Sequence, residues 1–158
     1  MKLNASELAM KYLAYRDRTS SEIQKYLISK EISQEDIDTC LQYLKDYRYV
    51  DDEDYCRRYF LYSIEKGRGP LRITRDLREK GIPDELIDMG IEEHFGFGNE
   101  AVLAMSFVEK LLTKEVHRLP LGEKEIAKIG RRLASSGYHS HAIYEVLDKL
   151  VTFHTKSD

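Results

Sequence analysis

The run Ile73-Thr74-Arg75-Asp76-Leu77-Arg78-Glu79-Lys80-Gly81-Ile82-Pro83-Asp84-Glu85-Leu86-Ile87-Asp88-Met89-Gly90-Ile91 decides the fold class. Its apolar residues Ile73, Leu77, Ile82, Ile87 and Ile91 form an i, i+4 pair, a break, and a second i, i+4 pair. That spacing predicts two short amphipathic helices joined by a turn that tucks one apolar residue inward. The turn chemistry agrees, because Gly81 suits the end of one helix and Pro83 the first position of the next.

The same offsets occur twice more without gaps. One copy is Ile23, Leu27, Ile32, Ile37 and Leu41; the other is Ile129, Leu133, Tyr138, Ile143 and Leu147. Ser136-Gly137-Tyr138 repeats the glycine stop, and Ser33 followed by Glu35 and Asp36 offers a serine cap with acids in the opening turn. A further helical stretch precedes each pair. Leu8, Tyr12 and Leu13 form a stripe opened by Asn4 with Glu7, and Thr19 with Glu22 reads as a capping box for the helix after it. Asp51-Asp52-Glu53-Asp54 starts a helix carrying Tyr55, Tyr59 and Phe60, and Asn99-Glu100 opens one carrying Leu103, Phe107 and Leu111. Sustained strand-type alternation is absent. The expectation is an all-α chain of three tandem three-helix, helix-turn-helix-like repeats, at residues 1–50, 51–96 and 97–158. Two-turn helices cannot bury a face alone, so each repeat must pack internally and on its neighbours, giving an elongated, curved modular chain.

The composition of these 158 residues narrows the class. No apolar run reaches the ~18–20 residues of a membrane span, and the opening Met1-Lys2-Leu3-Asn4-Ala5-Ser6-Glu7 lacks the apolar stretch of a secretory signal. Cys40 and Cys56 are too few for a disulfide scaffold and are expected to be reduced thiols in a cytoplasmic protein. The formal net charge of −3 conceals large blocks. Residues 1–30, 31–56, 57–80, 81–109, 110–133 and 134–158 carry +3, −7, +5, −7, +4 and −1.

Two of the repeats carry equivalent basic stripes on their second helices, the first helix of each pair. With Ile73 and Leu77 inward and 100° per residue, Arg72, Arg75 and Arg78 fall on the side opposite the core. Lys128 and Arg131 occupy the repeat positions of Arg72 and Arg75, with Lys124 one turn earlier, and Arg57, Arg58, Lys66 and Arg68 lie close in sequence. Such stripes suit phosphates or the carboxylates of a protein partner. The third helices are acidic, with Asp36 and Asp38 in one and Asp84, Glu85, Asp88, Glu92 and Glu93 in another. Phosphates would repel them, which argues against major-groove reading by a helix-turn-helix. A composite partner of protein and nucleic acid matches the alternating field better. The tyrosines Tyr43, Tyr47, Tyr49, Tyr55, Tyr59 and Tyr62 could stack on single-stranded bases, but their helical spacing reads better as the edge of the core.

Catalytic signatures are missing, so the chain is not expected to be an enzyme. Gly67-Arg68-Gly69-Pro70 lacks the length and Lys-Ser/Thr ending of a P-loop. Cys40 and Cys56 have no paired Cys or nearby His, and His139 and His141 read as turn residues with no further ligand close in sequence. Neither a metal nor another cofactor is expected.

Several residues together resemble a known family. Tyr49-Val50-Asp51-Asp52, then Tyr55-Cys56, Lys66-Gly67-Arg68-Gly69-Pro70, Ile73, Leu77 and Lys80-Gly81-Ile82 are similar to the central signature of RecX, the bacterial regulator of the recombinase RecA. Leu13, Arg16, Ser20, Glu22-Ile23, Leu27 and Leu44 match positions of the family's first repeat. The sequence departs from the pattern at Arg48, where the family has Gly, at Tyr55 for Phe, and at Cys56 for Ala. Asp51 and Asp52 read as a helix-start device. The resemblance implies a monomer that binds the groove of the RecA filament on single-stranded DNA and hinders its growth, ATP hydrolysis, strand exchange and co-protease activity. Single-stranded DNA would be met directly or through the filament, and from their place on the basic stripes Arg72, Arg75, Lys128 and Arg131 are expected to face the filament. The competing reading is a stand-alone nucleic-acid-binding module without sequence preference; the sign of any effect on RecA is not encoded in these motifs.

Overall fold

The structure is a computed structural model that describes residues 3–114 and 121–155. Among the described residues the only regular elements are helices: α1 (Ala5–Tyr15), α2 (Ser20–Ser29), α3 (Gln34–Asp46), α4 (Asp52–Glu65), α5 (Pro70–Glu79), α6 (Asp84–Phe95), α7 (Asn99–Lys114), α8 (Glu123–Ser135) and α9 (Ser140–Thr155). The fold is an all-α helical repeat, as the apolar spacing requires.

The helix starts follow local capping chemistry. The Asn4 side chain accepts from the Glu7 amide at 2.8 Å while Glu7 takes the Asn4 amide, and Thr19 and Glu22 make the same reciprocal pair at 3.1 Å each way. Ser33 caps α3 through the Asp36 amide, and Asp51 caps α4 through the Asp54 amide at 3.0 Å. Pro83 sits one residue outside α6, where its carbonyl accepts from Leu86 and Ile87, rather than at the first helical position. Its rigid φ serves the cap position equally well.

The turn between the paired helices is left-handed in all three copies, at Glu31 (φ 61°), Gly81 (φ 78°) and Gly137 (φ 98°). In each, the amide of the next residue reaches back to the helix: Ile32 to the Leu27 carbonyl, Ile82 to Leu77 and Tyr138 to Leu133, at 3.0–3.2 Å. These bonds satisfy carbonyls that a helix end leaves open. Arg48 is also left-handed (φ 57°), which accounts physically for the glycine that the RecX signature has there.

All fifteen apolar positions of the three copies are buried or half-buried. In α9, Ala142, Val146 and Leu150 are the buried residues while Ile143 and Leu147 are half-buried. α9 packs on both α7 and α8, so its inward stripe is broad and centred one residue earlier. The leading helices place a small residue at full burial, Ala9 in α1, Cys56 in α4 and Ala104 in α7. Leu8 and Tyr12 in α1, and Leu103 and Phe107 in α7, flank those centres half-buried.

The chain packs as two compact units. One comprises the described residues up to Tyr59 with Asp76–Ile87; the other comprises Phe60–Arg75 and the described residues from Asp88 onward. In the first, α1, α2 and α3 pack together around Ala9, Ile23, Leu27, Ile37, Cys40, Leu41, Leu44 and Val50. In the second, the buried residues include Phe60, Ile73, Val108, Leu133, Tyr138 and Val146. Cys40 and Cys56 are free and buried, and burial pushes both thiols above their ordinary pKa.

Candidate functional site

The basic residues singled out from the sequence divide between the two units, and their surroundings differ. In the first unit Arg57 pairs with Asp54, Arg58 lies 2.6 Å from Asp17 and 2.8 Å from Asp54, and Arg78 lies 2.9 Å from Asp84. The two guanidiniums hold the Asp54 carboxyl below the usual carboxylate range, Arg57 contributing most. These three arginines are exposed but their charge is largely answered within the chain.

In the second unit Arg75, Lys124, Lys128 and Arg131 are exposed, on faces opposite the buried Ile73 in α5 and Ile129 and Leu133 in α8. Lys124, Lys128 and Arg131 make no ion pair with another described residue. Arg72 is different: it is half-buried, and its Cβ and backbone N lie within 2.6 Å of where a Cβ on Gly137 would stand. Its stem therefore packs on the turn between α8 and α9. Lys66 and Arg68 lie over the half-exposed Tyr62 ring, 5.7 and 5.2 Å from its centroid.

The acidic residues Asp36, Asp38, Asp84, Glu85, Asp88, Glu92 and Glu93 are all exposed. A DNA backbone laid along α3 or α6 would meet carboxylates.

Two features escaped sequence reading. Asp52 does more than start α4: its carboxylate accepts from the Ser20 amide at 2.9 Å and from the Ser20 hydroxyl at 2.5 Å. It thus satisfies an open amide at the start of α2, next to the one that Glu22 takes. Glu100, which the sequence marks only as a helix opener, is buried and meets His139 and His141. The tyrosines split. Tyr12 stacks on Tyr26 at 4.1 Å and Tyr55 pairs with Tyr59, as core edges should. Tyr43, Tyr47 and Tyr49 instead cluster at 44%, 66% and 50% exposure, because they project from the end of α3 and the turn after it.

Comparison with known proteins identifies the family behind this architecture. The RecX first three-helix domain matches residues 5–44, and the RecX second three-helix domain matches residues 51–91. The chain belongs to the RecX family. Among its RecX relatives, the regulatory protein RecX of Bacillus licheniformis is 33% identical over 143 residues, covering 89% of this chain and 53% of that protein. The regulatory protein RecX of Bacillus subtilis is 31% identical over 144 residues, with 90% and 53% covered. This chain thus spans about half the length of these RecX relatives. A crystal structure of RecX from Lactobacillus salivarius superposes with a TM-score of 0.75 at 23% identity, over 94% of this chain and 95% of that one. A second crystal structure, of a regulatory protein RecX, gives a TM-score of 0.71 at 27% identity, over 91% and 71%. Both of these relatives are named regulatory proteins. No helix among its described residues is long and apolar enough to cross a membrane.

Proposed function

We propose that this RecX-family chain regulates RecA by lying in the groove of the RecA filament on single-stranded DNA, as a monomer in the cytoplasm and without catalysis of its own. In that position it slows filament growth, and with it ATP hydrolysis, strand exchange and co-protease activity. The observation that carries the reading is the α8 stripe: Lys124, Lys128 and Arg131 stand exposed, opposite the buried Ile129 and Leu133, without ion pairs to other described residues. Arg75 repeats that placement on α5. Exposed cations at repeated positions match the carboxylates and phosphates of a composite partner. Arg57, Arg58 and Arg78 contribute less, since contact with a partner would first have to break their ion pairs. The three-repeat division at 1–50, 51–96 and 97–158 is the modular frame on which these stripes recur.

The test is the DNA-dependent ATPase rate of RecA with and without the chain, and with K128E/R131E. The expected result is inhibition by the parent chain and a loss of about tenfold or more in potency for the charge-reversed one, with helicity unchanged. Equal inhibition by both overturns the assignment of the stripe.

The Tyr62 ring under Lys66 and Arg68 favours one further reading, direct contact with single-stranded nucleic acid. Titration with bare single-stranded DNA across a salt series separates the two. Tight binding with a steep salt slope, and no effect on RecA, supports the stand-alone module.

A further inference from the structure

Glu100 is the second residue of α7, His139 immediately precedes α9, and His141 is the second residue of α9. Folding therefore brings a carboxylate to two imidazoles that lie 39 or more residues from it in sequence, all within one compact unit. Glu100 is only 5% exposed, and a carboxylate at that depth needs partners. Oε1 accepts the His139 backbone amide at 2.7 Å, which fixes the carboxylate, and lies 3.0 Å from His139 Nδ1. Oε2 faces both imidazoles, 3.1 Å from His139 Nδ1 and 3.5 Å from His141 Nε2.

We infer that Glu100, His139 and His141 form a binding site for one divalent transition-metal ion, with zinc the best match. One ligand atom from each residue lies within 4.8 Å of the others. Zinc bonds of about 2.0–2.1 Å in tetrahedral geometry set neighbouring ligands about 3.3–3.4 Å apart. Both edges through Oε2, at 3.1 and 3.5 Å, are already within a few tenths of an ångström of that spacing. The third closes by rotation of the rings, which lie nearly parallel at 16° with centroids 5.4 Å apart. Two imidazoles and one carboxylate suit zinc, cobalt or nickel, whereas calcium and magnesium take oxygen ligands.

The His141 and His139 side chains are 73% and 43% exposed, so an ion enters from solvent and water completes its coordination. The Oε1 bond to the His139 amide is the outer support that metal carboxylates commonly have. When metal binds, the proton on His139 Nδ1 moves to Nε2 or leaves to solvent, freeing the Nδ1 lone pair; His141 binds through an unprotonated Nε2. Partial positive charges at the starts of both α7 and α9, about half an elementary charge each, oppose the cation, and the negative charge of Glu100 offsets them. A bound ion would tie the start of α7 to the start of α9.

The test uses the full chain stripped with a chelator and exchanged into metal-free buffer, then titrated with Co2+ and Zn2+. Co2+ gives visible ligand-field bands, and calorimetry gives the Zn2+ stoichiometry. The expected result is one ion per chain, a rise in melting temperature with Zn2+, and at least about a tenfold weaker affinity for H141A and for H139A. H141A changes a largely exposed side chain, so its melting in chelator should match the parent and separate ligation from folding. Absence of binding at millimolar Zn2+ overturns the site. So does affinity equal to the parent's in both H141A and H139A, which would assign the ion to another of the chain's five histidines.

Discussion

The Thr19 hydroxyl donates to the Lys80 carbonyl at 2.5 Å, across 61 residues of sequence. Thr19 is fully buried and is also the cap of α2, so one side chain closes a helix and joins it to the turn between α5 and α6. The corresponding place in the second unit is made by backbone alone. There the Gly69 amide donates to the Ser136 carbonyl at 2.8 Å, and the Leu71 amide to the Gly137 carbonyl at 2.9 Å. Gly69 and Ser136 stand at the repeat positions of Thr19 and Lys80, which explains why Gly69 carries no side chain: a Cβ there would fall 2.5 Å from Gly137.

Replacing Thr19 tests the double role. Thr19→Ala removes the cap and leaves the Lys80 carbonyl with one partner fewer, and should cost about 1–2 kcal/mol of unfolding free energy. Thr19→Ser keeps both bonds and should lose less. Urea denaturation followed by circular dichroism measures both; equal losses would show that the methyl group matters more than the hydroxyl.

The left-handed turns predict opposite signs at equivalent positions. Gly137→Ala should destabilise by at least about 2 kcal/mol, since a Cβ meets both the φ of 98° and the Arg72 backbone. Glu31→Gly and Arg48→Gly relieve left-handed strain and should stabilise by a few tenths to about 1 kcal/mol each, the gain being reduced by the chain entropy of glycine. Thermal melts of the three variants decide it.

Tyr138 predicts an alkaline limit to stability. Its hydroxyl donates to the Gly67 carbonyl at 3.0 Å, and its pKa is pushed up to about 12, burial contributing most and the Glu100 carboxylate next. The folded state therefore prefers the protonated phenol. That contribution is complete below pH ~10 and is lost as pH rises toward about 12, a change of about 2–3 kcal/mol. Tyr138→Phe should be less stable at pH 8 by about 1 kcal/mol and lose stability less steeply above pH 10. Denaturation at pH 8, 10 and 11 supplies the comparison.

Thiol chemistry reads the core directly. Cys40 and Cys56 are 3% and 4% exposed with raised pKa values, so the thiolate fraction at neutral pH is small and access is poor. Both should react with an aromatic disulfide reagent orders of magnitude faster in denaturant than in the native state. Fast labelling of either in native protein would mean that α3 or α4 opens locally.

The sequence was a good guide wherever the signal is carried within a turn or two of helix. Ile23, Leu27, Ile73, Leu77 and Leu133 are all fully buried, and the Asn4, Thr19 and Ser33 caps form as their spacing requires. It was a poorer guide where burial depends on how helices approach. The stripe of α9 turned toward Ala142 and Val146, and Tyr43, Tyr47, Tyr49 and Tyr62, four tyrosines spaced like a core edge, stayed exposed. The basic stripe was legible as a set of positions, but not the ion pairs of Arg57, Arg58 and Arg78 or the packing of Arg72. Those depend on which carboxylates and turns lie within a few ångströms.

By itself, then, the sequence determined the helices, their caps, their threefold recurrence and the side of each helix that carries charge. Each of these follows from residues three or four apart, whose backbone geometry is the same in any helix. Tertiary structure alone decided that Asp52 meets Ser20, that Thr19 meets Lys80, and that Glu100 meets His139 and His141. Such contacts join residues 32, 61 and 39 positions apart. No local periodicity encodes them, because they arise only when packing of the apolar stripes brings separate helix ends to the same point.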